Sequence, residues 1–219
     1  MRISGKTKPY AVLGHPIGHT LSPVMHMAAY EALGMDAVYL ALDVAPDKLM
    51  QVLPAMQVMG FGGVNLTVPL KEVAFRGLEH LDESAKQTGA VNAVDFKNNR
   101  ITGCNTDGEG LLRALREAFG TAADGLSVFV LGTGGAGRAA ALMCARNGAK
   151  SITLFDLDRD RSNRVAGEIR KMRPGALVSV LHESPESAAG ECNLIIQATP
   201  VGMKPGESAP LKTGAFHKG

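Results

Sequence analysis

Cysteine is scarce in this chain, and the three that occur, Cys104, Cys144 and Cys192, form no CxxC pair. An odd number of thiols without that spacing is typical of reduced side chains in a reducing compartment, and it argues against a disulfide framework or a zinc site. The histidines near the N-terminus lack HExxH spacing. We therefore expect no metal site.

An excess of charge of either sign is also lacking. Lys and Arg number 23 against 21 Asp and Glu, far from the concentrated positive surface of a nucleic-acid-binding protein. Apolar runs such as VFVL at 128–131 are much shorter than the roughly 18 residues of a membrane span, and MRISGKTKPY has no signal-peptide core. We expect no nucleic-acid partner, no membrane partner and a cytoplasmic location.

Short apolar runs alternate with amphipathic segments of helical length, which predicts an α/β fold with parallel strands. In the first half the predicted strands are 10–13, 38–42 and 63–66, the predicted helices are 23–33 and 47–59, and 91–96 with 101–104 form a predicted hairpin around Asn98-Asn99. Ser22 before Pro23 reads as a helix cap. A helix over 108–119 then leads into a polar stretch at 120–125, where we place a domain boundary, giving domains 1–120 and 121–219.

The second half repeats the alternation. The predicted strands are 127–131, 151–155, 177–180 and 194–197, and the predicted helices are 136–147 and 159–172. A complete doubly wound dinucleotide fold has about six strands. We therefore expect a Rossmann-type domain that is incomplete at its carboxyl end, and a natural gene product that extends beyond Gly219.

A glycine-rich turn lies between the first of these strands and its helix. Gly132, Gly134 and Gly137 form GxGxxG, with Gly135 and Ala136 between them. The first glycine permits a tight turn, the second lets a pyrophosphate approach the backbone, and the third lets helix and strand pack closely, while free N–H groups of the helix face the anion. This context predicts a dinucleotide site.

Asp156 ends the next strand, at the distance where an acid binds the adenosine ribose hydroxyls. Its charge opposes a 2′-phosphate, since two like charges at about 4 Å cost about 4 kcal/mol at an effective dielectric constant of 20. NAD is therefore favoured over NADP. Arg159 or Arg161 holding the phosphate is the alternative, and Asp158 either competes for the ribose or caps the following helix.

Three polar clusters in the first half are not explained by packing: GHPIGHTLSP at 14–23, GVNLTVPLK at 63–71, and GAVNAV at 89–94 with GCNTDGEG at 103–110. Each follows a predicted strand, so we expect the clusters to meet at the carboxyl ends of the strands. They supply hydroxyl, amide, amine and carboxylate groups suited to a small polyhydroxylated acid: Thr20, Ser22, Asn65, Thr67, Lys71, Asn92, Asn105 and Asp107. The alternatives are caps for Ser22, Thr67 and Asp107, turn formers for the asparagines and a solvated helix position for Lys71.

The order and spacing of these clusters, together with LGTGGAGRAAA and QATPVGM, resemble the shikimate dehydrogenases and the related quinate/shikimate dehydrogenases over residues 10–203. The resemblance implies an N-terminal substrate domain, a C-terminal Rossmann domain and NAD(P)-linked oxidoreduction of shikimate and 3-dehydroshikimate, a step in aromatic amino-acid (chorismate) biosynthesis. It does not determine the oligomeric state, for which a homodimer stays open.

Site roles also follow from the resemblance. Thr20 and Ser22 match hydroxyls that hold the substrate carboxylate, and the positions of Lys71 and Asp107 match the catalytic pair. Lys71 transfers the hydroxyl proton, or alternatively polarises the carbonyl while a water carries the proton. The matches to ring-hydroxyl ligands are Asn65, Thr67, Asn92 and Asp107, and the matches on the nicotinamide side are Thr199 and Met203.

The chain departs from the family at the cofactor and at its end. Asp156-Leu157-Asp158 stands where NADP-using members have Asn-Arg-Thr, which resembles the NAD-preferring quinate/shikimate branch, in which the acid at 156 and Arg161 contact the cofactor. The final helix with its substrate-binding Gln has no counterpart before Gly219. Quinate as substrate and a noncatalytic dinucleotide- or shikimate-sensing module remain alternatives.

Overall fold

Two separate β-sheets organise the chain, one of six strands and one of four, in a computed structural model that describes residues 3–203 and 206–216. The chain divides into two compact units, Met1–Thr106 and Asp107–Gly219, each with its own sheet. The division precedes helix 107–119, whereas the sequence placed the domain boundary after it. Helix 107–119 belongs to the second unit because it packs closely on a helix of that unit. A Cβ added at Gly108 would lie 2.3 Å from Cγ of Met143 on that neighbouring helix.

The first unit has the strand order β2-β1-β3-β5-β6-β4, in which β3, β5 and β6 pair antiparallel and the remaining pairs are parallel. Its strands are β1 (Lys8–Gly14), β2 (Ala37–Asp43), β3 (Gly63–Leu66), β4 (His80–Leu81), β5 (Ala93–Asp95) and β6 (Thr102–Cys104). Its helices are α1 (Ser22–Ala32), α2 (Leu49–Val58), α3 (Leu70–Gly77) and α4 (Glu83–Thr88).

Alternation along β1 separates the two faces of this sheet. Ala11 and Leu13 join a core that includes residues of α2, α3 and α4, while Val12 belongs to a smaller cluster with Tyr39 and residues of α1. Successive strand residues point to opposite faces, so one strand serves both clusters. The apolar residues of β1 are therefore used in the two cores, and the polar residues lie in the loops that follow the strands.

The second unit is a parallel sheet in the order β10-β7-β8-β9. Its strands are β7 (Ser127–Leu131), β8 (Ser151–Phe155), β9 (Leu177–Val180) and β10 (Leu194–Gln197), with the predicted bounds. Its helices are α5 (Asp107–Phe119), α6 (Gly135–Arg146), α7 (Arg159–Met172) and α8 (Glu186–Ala189). The main core contains residues of α5, α6 and α7 together with inward residues of the strands. The α/β prediction is confirmed for both units.

Local expectations had mixed outcomes. The hairpin of β5 and β6 is confirmed, and Asn98 and Asn99 in its turn both have φ of 55°, a conformation that Asn tolerates better than most residues. The Ser22 cap is wrong, because Leu21 is the N-cap of α1 and Ser22 lies inside the helix. The sequence prediction omitted four short elements, α3, β4, α4 and α8. Among the described residues, no helix is both long and apolar enough to cross a membrane.

Candidate active site

The three polar clusters of the first unit meet through backbone hydrogen bonds. His15 N donates to Val68 O at 3.2 Å, which joins the first cluster to the second. Leu66 N donates to Asn92 O at 2.8 Å, and Val91 N donates to Lys71 O at 3.0 Å, which joins the second to the third. The expectation that these clusters lie together is confirmed for this unit.

Thr20 and Ser22 form one hydroxyl pair at the start of α1. The Thr20 hydroxyl donates to Ser22 Oγ at 3.1 Å, and Ser22 N donates to Thr20 Oγ1 at 3.2 Å. Both residues are half-buried. Two adjacent hydroxyls with remaining donor and acceptor capacity suit a carboxylate ligand.

Thr67 packs against the turn that follows β1. A Cβ added at Gly14 would lie 2.6 Å from Thr67 Cγ2, so only glycine allows this approach of the two loops. Helix α3 begins after Thr67, and its N-cap is Pro69. Among the described residues, no side chain caps this helix. The cap alternative for Thr67 is therefore wrong.

Asn65 and Asn92 are held in different ways. Asn65 Oδ1 accepts from the Tyr39 hydroxyl at 2.6 Å, and Asn65 Nδ2 donates to Asn92 O at 3.3 Å. The Asn92 amide binds Thr106, donating to its Oγ1 at 2.9 Å and accepting from its backbone N at 2.9 Å. Asn92 thus fixes the backbone directly before Asp107.

Asn105 has structural contacts. Its side chain is buried and donates to Ala90 O at 3.0 Å, and its backbone N donates to Ser84 Oγ at 2.8 Å. Lys71 lies in the first turn of α3 and Asp107 is the first residue of α5, and both are half-buried.

The glycine turn of the second unit has two tight glycines and two open ones. Gly132 has φ of 90°, and a Cβ added at Gly137 would lie 1.8 Å from Gly132 O, so neither position accepts a side chain without movement. Around Gly134 and Gly135 an added Cβ would meet nothing within 4 Å. Since no packing requirement explains glycine at 134 or 135, the open space fits a ligand that approaches the backbone.

Helix α6 begins at this open space. Its N-cap is Gly134, and the described residues provide neither a capping side chain nor an acidic group in its first turn. The first N–H groups of a helix have no partner within the helix and attract anions. The turn therefore fits the pyrophosphate of a dinucleotide.

Asp156 is fixed by the glycine turn itself. Its Oδ2 accepts from Thr133 N at 2.6 Å and from the Thr133 hydroxyl at 2.9 Å, and its Oδ1 accepts from Asp158 N at 3.0 Å. Burial raises the pKa of Asp156, but these hydrogen bonds and the charge of Arg161 outweigh burial and lower the pKa below its ordinary value. Asp156 is therefore charged at neutral pH and holds the turn in place.

The groups after Asp156 are also paired. Asp158 accepts from Arg161 N at 3.0 Å as the N-cap of α7, which confirms the cap alternative for Asp158. Arg161 Nη1 lies 3.7 Å from Asp156 Oδ2, and Arg161 Nη2 lies 3.4 Å from Asp158 Oδ2. Arg159 donates to His182 O at 3.0 Å. Arg161 is the arginine adjacent to Asp156.

Thr199 and Met203 follow β10, and Thr199 lies beside the glycine turn. A Cβ added at Gly132 would lie 2.7 Å from Thr199 Cγ2, and Val201 N donates to Thr199 Oγ1 at 3.2 Å. Met203 is 70% exposed, so it is available to a ligand rather than committed to the core.

Comparison with known proteins is consistent across sequence and structure. A family model described as the shikimate dehydrogenase substrate binding domain matches residues 12–94. The shikimate dehydrogenase (NADP(+)) of Methanopyrus kandleri is 38% identical over 210 residues, covering 95% of this chain and 72% of that protein. The chain belongs to the shikimate dehydrogenase family.

Solved structures of the family have the same fold. Shikimate dehydrogenase from Aquifex aeolicus superposes with a TM-score of 0.87 at 31% identity, covering 98% of this chain and 77% of that one. Shikimate 5-dehydrogenase from Listeria monocytogenes, solved in complex with shikimate and NAD, gives 0.82 at 33% identity, covering 94% and 73%. The N-terminal substrate domain and the Rossmann-like C-terminal domain are thereby confirmed.

Two neighbours of the predicted site residues were missed in the sequence. Tyr39 binds Asn65 and Thr133 binds Asp156, and neither side chain was singled out. Thr133 lies inside the glycine motif, which was a usable signal. Tyr39 lies in an apolar strand 26 residues before Asn65, so only strand pairing relates the two.

Proposed function

We propose that this chain catalyses reversible NAD(P)-linked oxidoreduction between shikimate and 3-dehydroshikimate, a step of aromatic amino-acid biosynthesis. The observation that carries the proposal is the meeting of the three polar clusters in the first unit, where hydrogen bonds join residues 15 to 68, 66 to 92 and 91 to 71. This brings hydroxyl, amide and amine groups to one end of the sheet. The set matches a polyhydroxylated carboxylic acid.

Substrate binding is divided among these groups. The adjacent hydroxyls of Thr20 and Ser22 would hold the carboxylate. The ring hydroxyls would be bound by side chains on or after the central strands: Asn65, Thr67, Asn92 and Asp107. Both atoms of the Asn92 side-chain amide also bind Thr106, so Asn92 would position the chain leading to Asp107 as well.

Lys71 and Asp107 carry the acid–base chemistry in this proposal. Nζ of Lys71 would take the proton of the reacting hydroxyl during oxidation and return it during reduction, while Asp107 orients that hydroxyl. The bond between Val91 N and Lys71 O, at 3.0 Å, fixes the backbone from which the lysine extends. In the alternative role, Lys71 polarises the carbonyl and a water carries the proton.

The cofactor would bind in the second unit. A bound nicotinamide dinucleotide supplies or accepts the hydride at C3 of the shikimate ring. Gly132, Gly134, Gly135, Ala136 and Gly137 would hold its pyrophosphate at the start of α6. Asp156 and Arg161 would contact the adenosine ribose, and Thr199 and Met203 would line the nicotinamide side.

We propose further that NAD is used better than NADP. Asp156 is ionised at the end of β8, and Leu157, 90% exposed, follows it where the resemblance expects an arginine. The Methanopyrus relative is named for NADP(+), so its name does not support this preference. In the alternative, either Arg159 leaves His182 O or Arg161 leaves Asp158, and the released arginine binds a 2′-phosphate.

Absorbance at 340 nm tests both statements. Purified protein is given shikimate or quinate with NAD or NADP, and kcat/KM is measured for the four combinations. We expect shikimate to reduce the cofactor, which raises the absorbance at 340 nm. We also expect a larger kcat/KM with NAD than with NADP, and a smaller difference between the two in Asp156→Asn. Binding of shikimate without any turnover would favour the sensing module, and better use of NADP would refute the NAD preference.

Lys71→Ala tests the catalytic assignment. We expect kcat to fall at least about a hundredfold, the scale of a general acid–base group, with a much smaller change in the KM for shikimate. Lys86→Ala is the matched control, because Lys86 is an exposed helical lysine paired with Glu83. Near-normal kcat in Lys71→Ala would contradict the assignment.

Other expectations remain predictions. The 120/121 boundary assigns α5 to the substrate domain, and limited proteolysis at 120–125 would test it. A cytoplasmic location likewise stays a prediction. The oligomeric state, for which the sequence leaves a homodimer open, can be measured by light scattering.

A further inference from the structure

We propose that Tyr39 is a positioning residue for substrate recognition, acting through the side-chain amide of Asn65. This inference rests on the proposed function, because it takes Asn65 as a ligand of the substrate. Tyr39 lies on β2 and Asn65 on β3, separated by β1 in the sheet. The Tyr39 hydroxyl reaches across β1 and donates to Asn65 Oδ1 at 2.6 Å.

The two hydrogen bonds of Asn65 define which way its amide faces. The second partner, the carbonyl oxygen of Asn92, accepts but cannot donate. It must therefore face Nδ2, which leaves Oδ1 facing Tyr39. The Tyr39 hydroxyl is the donor to this oxygen. Once the contacts with the described residues are counted, one N–H of Nδ2 and one lone pair of Oδ1 remain for a ligand.

The Tyr39 ring is fixed before any ligand binds. It is 4% exposed and stacks on His26 with the ring centroids 4.0 Å apart and the planes 12° from parallel. Tyr30 meets it edge-on at 6.4 Å. Burial, with a smaller contribution from Tyr30, raises the pKa of Tyr39, so its hydroxyl stays a donor over the pH range of an assay.

Holding the Asn65 amide in place before binding should strengthen the affinity for substrate. A side chain held in one rotamer by packing and hydrogen bonding loses little freedom when a ligand binds, whereas a free amide must be ordered at that moment. Removing the Tyr39 hydroxyl leaves Asn65 Oδ1 without its donor and permits the amide to turn. The effect should fall on substrate affinity and only weakly on proton or hydride transfer.

The test is a double-mutant cycle with Tyr39→Phe, Asn65→Ala and the double variant, using shikimate and the better cofactor. Phe keeps the ring and its stacking. A net hydrogen bond is worth about 0.5 to 1.5 kcal/mol, so we expect Tyr39→Phe to raise the KM for shikimate about three- to tenfold with kcat within about twofold. In the Asn65→Ala background the same change should leave KM within about twofold.

Tyr30→Phe is the matched control for the aromatic cluster, and its KM should equal that of the wild type. Calorimetric melting of each variant reports stability separately. Equal effects of Tyr39→Phe with and without Asn65, or an unchanged KM, would overturn the inference. An inactive wild type would instead refute the proposed function, so the two failures are distinguishable.

Discussion

The glycine motif gives a sharp prediction, because two glycines of one turn should fail for different reasons. In Gly137→Ala the new Cβ would lie 1.8 Å from Gly132 O, where ordinary contacts exceed 3.4 Å. Either the turn or α6 must move. In Gly134→Ala the added Cβ meets open space, and its backbone at φ −64° and ψ −172° suits any residue.

The magnitudes follow from these distances. Overpacking against a fixed backbone costs about 3 kcal/mol, which is about 6 to 12 °C in melting temperature for a chain of this size, so Gly137→Ala should melt far below the wild type. Gly134→Ala should melt within about 3 °C of the wild type, since exchanging Gly for Ala at an N-cap costs under about 1 kcal/mol. Its KM for the dinucleotide should rise about tenfold, corresponding to about 1.4 kcal/mol of lost binding.

Differential scanning calorimetry and cofactor titrations would separate the two effects. Gly167→Ala is the matched control, because Gly167 lies within α7 with nothing within 4 Å of an added Cβ. It should stabilise the protein by about 0.5 to 1 kcal/mol and leave the cofactor KM unchanged. The reasoning fails if Gly137→Ala melts like the wild type, or if Gly134→Ala leaves the cofactor KM unchanged.

Two further predictions concern polar side chains that are held by hydrogen bonds, Asp156 and Asn105. Because the pKa of Asp156 is lowered in the folded state, its stabilisation is complete above its ordinary pKa of about 3.9 and is lost as pH falls through the folded value. Urea titrations from pH 7 to pH 3 should show wild type more stable than Asp156→Asn at pH 7, with a gap that closes below about pH 4; a constant gap would refute this. Asn105→Ala should lower the unfolding free energy by about 0.5 to 1.5 kcal/mol, because Ala90 O loses the Asn105 amide as a donor and keeps the Thr88 hydroxyl at 3.3 Å. Its KM for shikimate should match the wild type, and a selective rise in KM would instead place Asn105 at the substrate.

Strand pairing explains which parts of the site could not be predicted from the sequence. The role of Thr133 could have been predicted from the sequence, because Thr133 lies inside the glycine motif, whose turn must be anchored to the following strand. Tyr39 was not, because its partner Asn65 lies two strands away across β1, and the sheet order β2-β1-β3 is a tertiary property. Asn92 matched the family pattern, yet its two bonds to Thr106 depend on how the loop before α5 returns to the sheet.

Local sequence patterns were sufficient to predict the strands of the second unit and the position of its glycine turn. Strand β7 is an apolar run that is buried almost throughout, and β8 and β9 alternate between more and less buried residues. A strand–glycine–helix turn depends on interactions within a few residues, so both features are local signals. Short elements such as β4 and α4 carry too few residues for a periodic signal. Which polar side chains face one another depends on the three-dimensional fold, because hydrogen-bond partners such as Tyr39 and Asn65 meet through strand order. The fold likewise makes Asp158 the cap of α7 and Asp156 the anchor of the glycine turn, a division that two neighbouring acids in a sequence do not reveal.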